Sequence, residues 1–68
     1  MTYEEFVAEI MTAAAECPKE LRLGQSVYNI TEDRYHVGHK AMDLGMDCFY
    51  DDSRIDEFLQ KAWDFVKG

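Results

Sequence analysis

One proline and four glycines are all that interrupt this chain of 68 residues. So few breaks exclude a turn-rich β protein and leave room for long helices. Two cysteines, Cys17 and Cys48, allow one bridge at most, too few to staple a small fold. We expect both reduced, buried and inert. No apolar run approaches the roughly 20 residues of a membrane span. The acidic amino terminus also lacks the basic, apolar pattern of a signal peptide, so we expect a cytoplasmic protein. Basic residues are scarce: seven Lys and Arg against fourteen Asp and Glu give a formal charge of -7. That balance repels DNA, RNA and anionic membranes, and it attracts basic protein surfaces.

What is present suffices for a core. Hydrophobic residues make up 47% of the chain, with Trp63, four Phe and four Tyr among them. Such a composition is that of a folded chain, and its length fits a single domain over residues 1–68, near the lower limit for folding without staples.

The rest is organised around Asp47-Cys48-Phe49-Tyr50-Asp51-Asp52-Ser53-Arg54-Ile55-Asp56-Glu57-Phe58-Leu59. Gly45, just before it, can take the left-handed conformation that stops a helix. Phe49 and Tyr50 stand among polar neighbours, and at least one of them is expected to plug the core. Asp51, Asp52 and Ser53 are all competent N-caps, and Ser53 with Asp56 has capping-box spacing. The acidic first turn (Asp52, Asp56, Glu57) suits the positive end of a helix dipole. A final helix is predicted from Ser53 to Lys67, with Ile55, Phe58, Leu59, Ala62 and Val66 as its stripe and Trp63 and Phe65 on the flanks.

Upstream, Thr2 and Glu5 form a capping box ahead of Tyr3, Phe6, Val7, Ile10, Met11 and Ala14. This spacing predicts a helix from Tyr3 to Glu16, broken by Pro18. A second helix is predicted from Glu20 to Glu32, with Leu23, Val27, Ile30 and Tyr28 inward. Gly24 within it suggests a close helix crossing. Val27 to Thr31 also has strand-like residues, but no partner strand exists to satisfy its backbone. Val37, Ala41 and Leu44 predict a short third helix ended by Gly45. The expected fold is all-α, a small bundle of three main helices plus a short one before the last.

Gln25 and Asn29 lie four apart on one helix face. They can hydrogen-bond the backbone of the corner around Phe49 to Ser53, or they can form a polar recognition surface. Gly24-Gln25-Ser26-Val27-Tyr28-Asn29, together with the corner segment Asp47 to Leu59, resembles a group of small proteins encoded by bacteriophages and prophages. In that group a Gly-Gln-x-aliphatic-aromatic-Asn helix precedes an Asp-x-Phe-aromatic-Asp-Asp segment that opens a final helix. The matching segments cover less than a third of the chain. The resemblance implies a phage origin, a bacterial host cytoplasm and an accessory role, and it supplies no site residues.

Candidate chemistry is sparse. His36, His39 and Asp43 follow i, i+3, i+7, which on one helix would offer two imidazoles and a carboxylate to zinc. Solvent-facing histidines near a helix end account for the same residues, and neither familiar zinc spacing is present, so no cofactor is assigned. The acids of the corner lack the glycine and ligand order of a calcium loop. Asp51 and Asp52 read as caps rather than as a catalytic pair, and acids beside Cys48 oppose a thiolate. The sequence therefore points away from an enzyme and toward contact with a protein.

Two contact surfaces present themselves. Glu4, Glu5, Glu9, Asp51, Asp52, Asp56 and Glu57 can dock on a basic surface, including that of a nucleic-acid-binding protein. The same acids also serve solubility and the helix dipoles without any partner. Alternatively, Tyr3, Met11, Trp63 and Phe65 form an apolar patch through which the chain pairs with itself.

Overall fold

In the computed structural model, which describes residues 1–68, four α-helices and one 3-10 turn follow in order, with no strand. They are α1 (Tyr3–Ala15), α2 (Leu23–Tyr35), α3 (Gly38–Asp43) and α4 (Ile55–Lys67), with the 3-10 turn at Asp52–Arg54. The all-α bundle is as expected from the sequence. Its extents are 33 × 24 × 19 Å. The most extensive packing is between α1 and α2, while α4 leans on α3 and closes the bundle. No helix is long and apolar enough to cross a membrane.

The start of α1 is fixed locally. Glu5 N donates to Thr2 Oγ1 at 3.2 Å, and Thr2 N donates to Glu5 Oε1 at 2.7 Å. That reciprocal pair satisfies two of the amides a helix start leaves unpaired. Phe6, Ile10 and Ala14 then recur at helical spacing and are buried. They meet Val27 of α2, Val37 and Ala41 around α3, Cys48, and Ile55, Phe58, Leu59 and Ala62 of α4. Each fully buried large side chain here is worth about 1.5–3 kcal/mol of apolar burial. Phe6 anchors one side through Tyr35 (ring centroids 5.2 Å apart) and Trp63 (5.4 Å).

α2 differs from its sequence reading in both position and face. It begins at Leu23 rather than Glu20 and runs on to Tyr35. Its buried positions are Gly24, Ser26, Val27 and Thr31, while Leu23 is exposed. Thr31 can sit inside because its Oγ1 donates back to the Val27 carbonyl at 2.8 Å. His36 ends the helix in the left-handed conformation (φ 59°), which non-glycine residues rarely adopt.

α3 is short, and its N-terminus is capped from another helix. His39 N donates to Glu32 Oε1 of α2 at 2.8 Å. Gly45, at φ 86°, ends this segment as its sequence position suggested. Leu44, read as part of the third apolar face, lies where the helix has already unwound and is 56% exposed.

Candidate functional site: the acidic corner and its aromatic cleft

The corner is built on the amino end of α2. Cys48, not Phe49 or Tyr50, is the residue that plugs the core, fully buried and with its Sγ donating to the Gly24 carbonyl at 3.4 Å. Gly24 leaves space for this approach: a Cβ there would lie 1.9 Å from the Cys48 carbonyl oxygen. The close contact expected at Gly24 is therefore with the corner backbone and not with a crossing helix.

Asp52 Oδ1 accepts from Gly24 N at 2.8 Å, so the first turn of α2 is capped by a side chain 28 residues downstream. Arg22 adds a strap, its Nη1 donating to the Tyr50 carbonyl at 2.9 Å. Gln25 Oε1 accepts from Arg22 N at 3.0 Å and thus serves its own helix start. Asn29 is exposed and makes no hydrogen bond to the corner. The expectation that Gln25 and Asn29 tie down the corner is corrected here: Arg22 and Asp52 do so, because they lie at the junction itself.

Within the corner, aspartates cap the backbone next to them. Asp47 Oδ1 accepts from Phe49 N at 2.7 Å, and Asp51 Oδ1 accepts from Ser53 N at 3.0 Å and Ser53 Oγ at 2.6 Å. The Ser53 hydroxyl and amide together hold the Asp51 carboxyl below its ordinary range. The expected Ser53–Asp56 capping box does not form. The 3-10 turn intervenes, α4 starts at Ile55, and Ser53 donates its hydroxyl to Asp51 instead. Arg54 Nη2 closes the loop on the Gly45 carbonyl at 2.8 Å and pairs with Glu57 at 3.1 Å.

Phe49 is half-buried and Tyr50 is 71% exposed. Phe49 stands edge-to-face with Tyr28 of α2 (5.7 Å, 79°) and with Tyr50 (4.9 Å, 67°). Tyr28 in turn lies 5.9 Å from Phe58 in the core. Tyr28, Met42, Asp47, Phe49 and Tyr50 line an open cleft of about 280 Å³. Burial raises the Tyr28 phenol above its usual value, and the carboxylates of Glu32, Asp43 and Asp47 raise it further. Asp47 is the one carboxylate in the lining of the cleft.

The other predicted acids have separate places. Glu5 belongs to the α1 capping box. Glu9 accepts the Tyr35 hydroxyl at 2.6 Å and Arg34 at 2.9 Å, bridging α1 to α2; the phenol first, then the guanidinium, lowers its carboxyl. Glu4 and Asp56 are exposed and pair with no cation.

The apolar candidates do not form one patch. Tyr3 and Trp63 meet at 6.2 Å, and both, like Met11, pack against the core. Phe65 lies on the other flank of α4, 37% exposed, beneath Lys40 at 5.7 Å. The histidine face is also absent as drawn. His36 caps α2 in the left-handed conformation, outside α3, so His36, His39 and Asp43 do not share a helix. His39 Nδ1 instead pairs with Glu32 at 2.9 Å. No group of three or more His, Cys, Asp and Glu side chains is placed to hold a metal ion.

Both cysteines are free. Burial pushes the Cys48 thiol up to about 12, with Asp47 and Asp52 adding to the shift, which disfavours its thiolate. Sequence reasoning missed Tyr28, Met42 and Asp47 as cleft residues and Asp52 as a remote cap. The one local signal was Gly24 at the start of a helix, where only a close approach repays its poor propensity.

Comparison with protein-family models, curated proteins and solved structures finds no match to the chain.

Proposed function

We propose that this is a small acidic contact protein that docks on a basic surface of another protein and catalyses nothing. The observation that supports it is the charge left over at the corner. Asp43 to Glu57 holds six carboxylates and one arginine, a surplus of five out of the chain's net seven. Of the six, Glu57 alone pairs with a cation, Arg54. Asp47, Asp51 and Asp52 cap amides, and those bonds fix their positions without cancelling their charge. Unneutralised charge held on a fixed backbone is what steers and orients a basic partner.

This reading moves the contact away from the first helix, where Glu5 and Glu9 are engaged within the fold. It also fits the resemblance to phage-encoded proteins. The two segments that carry that resemblance, Gly24–Asn29 and the corner, touch through Gly24–Cys48, Gly24–Asp52 and Tyr28–Phe49. On this proposal the protein works in a bacterial cytoplasm as a phage-type accessory factor. Its partner is a nucleic-acid-binding protein whose basic surface it occupies, with no direct contact to nucleic acid or membrane.

The test is a tagged pull-down from bacterial lysate, washed at low and high salt and read by mass spectrometry. One stoichiometric basic partner, lost at high salt as the screening length falls from about 10 Å at 0.1 M to about 3 Å at 1 M, is the expected result. Recovery of the protein alone, as a dimer by native mass spectrometry, would overturn the reading in favour of self-association.

A further inference from the structure

We infer that the cleft between Tyr28, Phe49 and Tyr50 takes the guanidinium of an arginine on the partner, with Asp47 on its rim as the counter-charge. This deepens the docking proposal and rests on it.

Size comes first. At about 280 Å³ and open to solvent, the cleft falls below the roughly 300–1,000 Å³ of small-molecule sites. It suits one side chain. Four of its five lining residues are apolar or aromatic, and the fifth is a carboxylate with no cation of its own. Such a lining favours a group that is at once flat, apolar on its faces and positively charged on its edge. Guanidinium meets all three requirements: it stacks on rings, and its planar fork matches a carboxylate. An ammonium is a compact, strongly hydrated point charge and gains less from a ring slot.

The backbone that carries the Phe49 and Tyr50 rings is held before anything arrives. Phe49 is fixed by the Asp47 bond to its amide, and the Tyr50 backbone by the Arg22 strap. Cys48, immediately before Phe49, is locked into the core. Tyr50 thus presents a largely exposed ring on an anchored backbone, an arrangement that lowers the ordering cost of binding. The two neighbouring ring pairs are near perpendicular, so a planar cation can stack on one face while meeting the edge region of the next. The chain's own cation–π contact is elsewhere, Lys40 over Phe65, and leaves these rings free. Charge agrees, because Asp43 and Glu32 lie close enough to Tyr28 to act on its phenol.

The experiment is an NMR titration of the full chain with N-acetyl-arginine amide, against N-acetyl-citrulline amide as the neutral near-isostere. Ring protons of Tyr28, Phe49 and Tyr50 are expected to shift and saturate with arginine but not with citrulline. Tyr50→Leu and Asp47→Asn should each weaken arginine binding about two- to fivefold. An unchanged Gly24 amide shift will show that the corner remains folded, since asparagine can still accept the Phe49 amide bond. Equal shifts with citrulline, or shifts spread evenly over the acidic surface without saturation, would overturn the cleft assignment. If the pull-down still yields a salt-sensitive partner and both variants retain it, the cleft falls and the docking proposal stands. If the pull-down yields no partner, the docking proposal falls whatever the titration shows.

Discussion

The two ends of this molecule are held by different forces. At the α1–α4 side, Phe6, Ile10, Leu59 and Ala62 exclude water, and Tyr3 and Trp63 lean over them. At the corner, one small buried group, Cys48, sits inside a lattice of bonds from side chains to backbone. The first arrangement is tolerant in detail and strong in sum. The second is specific, because its bonds between Arg22 and Tyr50, Gly24 and Asp52, and Gly24 and Cys48 join residues far apart in sequence, and each fails if either partner moves. The difference extends to charge. Glu9 on the first helix meets Arg34, while of the corner acids only Glu57 meets a cation, and Asp47, Asp51 and Asp52 accept from neutral groups and keep their charge available.

The largest expected effect tests the apolar side. Phe58→Ala should cost about 3–5 kcal/mol, comparable to the whole stability of a domain this small. Circular dichroism at 25 °C should then show a mostly unfolded chain. A folded variant with a cooperative melt would mean the core is less central than its burial implies.

Gly24→Ala sets the corner against helix propensity. Propensity alone predicts a gain of about 1 kcal/mol. The Cys48 carbonyl occupies the place of the new methyl, so we expect a loss on the order of 2–3 kcal/mol by urea unfolding. The sign decides between the two.

Asp52→Ala removes the remote cap of α2 and should cost about 1 kcal/mol, with faster amide exchange at Gly24. If Gly24 already exchanges freely in the parent protein, the cap does not exist in solution.

Smaller still is the Glu9 contribution. Because the folded-state pKa of Glu9 is depressed, its stabilising effect is present above the ordinary carboxylate value of 4.5 and is lost as pH falls through the depressed one. The melting temperature of the parent should exceed that of Glu9→Gln by a small margin at pH 7. That margin should shrink as pH falls below 4.5. A constant margin would show that ionisation of Glu9 is irrelevant.

The apolar side was legible in the sequence because its signals are local. Thr2 and Glu5 are three residues apart, and the stripes of α1 and α4 repeat within single helices. The corner was legible only as a place. Its turn at Gly45 and its aspartate caps could be foreseen, but not which amide each aspartate serves. α2 was placed three residues early at its start because its cap comes from Asp52. It was ended early because His36 adopts a conformation that glycine usually supplies, and the same turn removed the imagined metal face. The aromatic cleft joins Tyr28 to Phe49 across the rest of α2 and all of α3, and no periodicity encodes that meeting.

The most direct test of the central claim compares two charge-matched variants in the salt-washed pull-down. Asp43→Asn with Asp47→Asn removes two of the corner's charges, and Glu4→Gln with Glu16→Gln removes the same charge from the first helix and its end. If the corner is the docking site, the first pair should reduce partner recovery about tenfold or more and the second should leave it near the parent level. Equal losses from both pairs would show that only total charge matters, and would contradict a site at the corner.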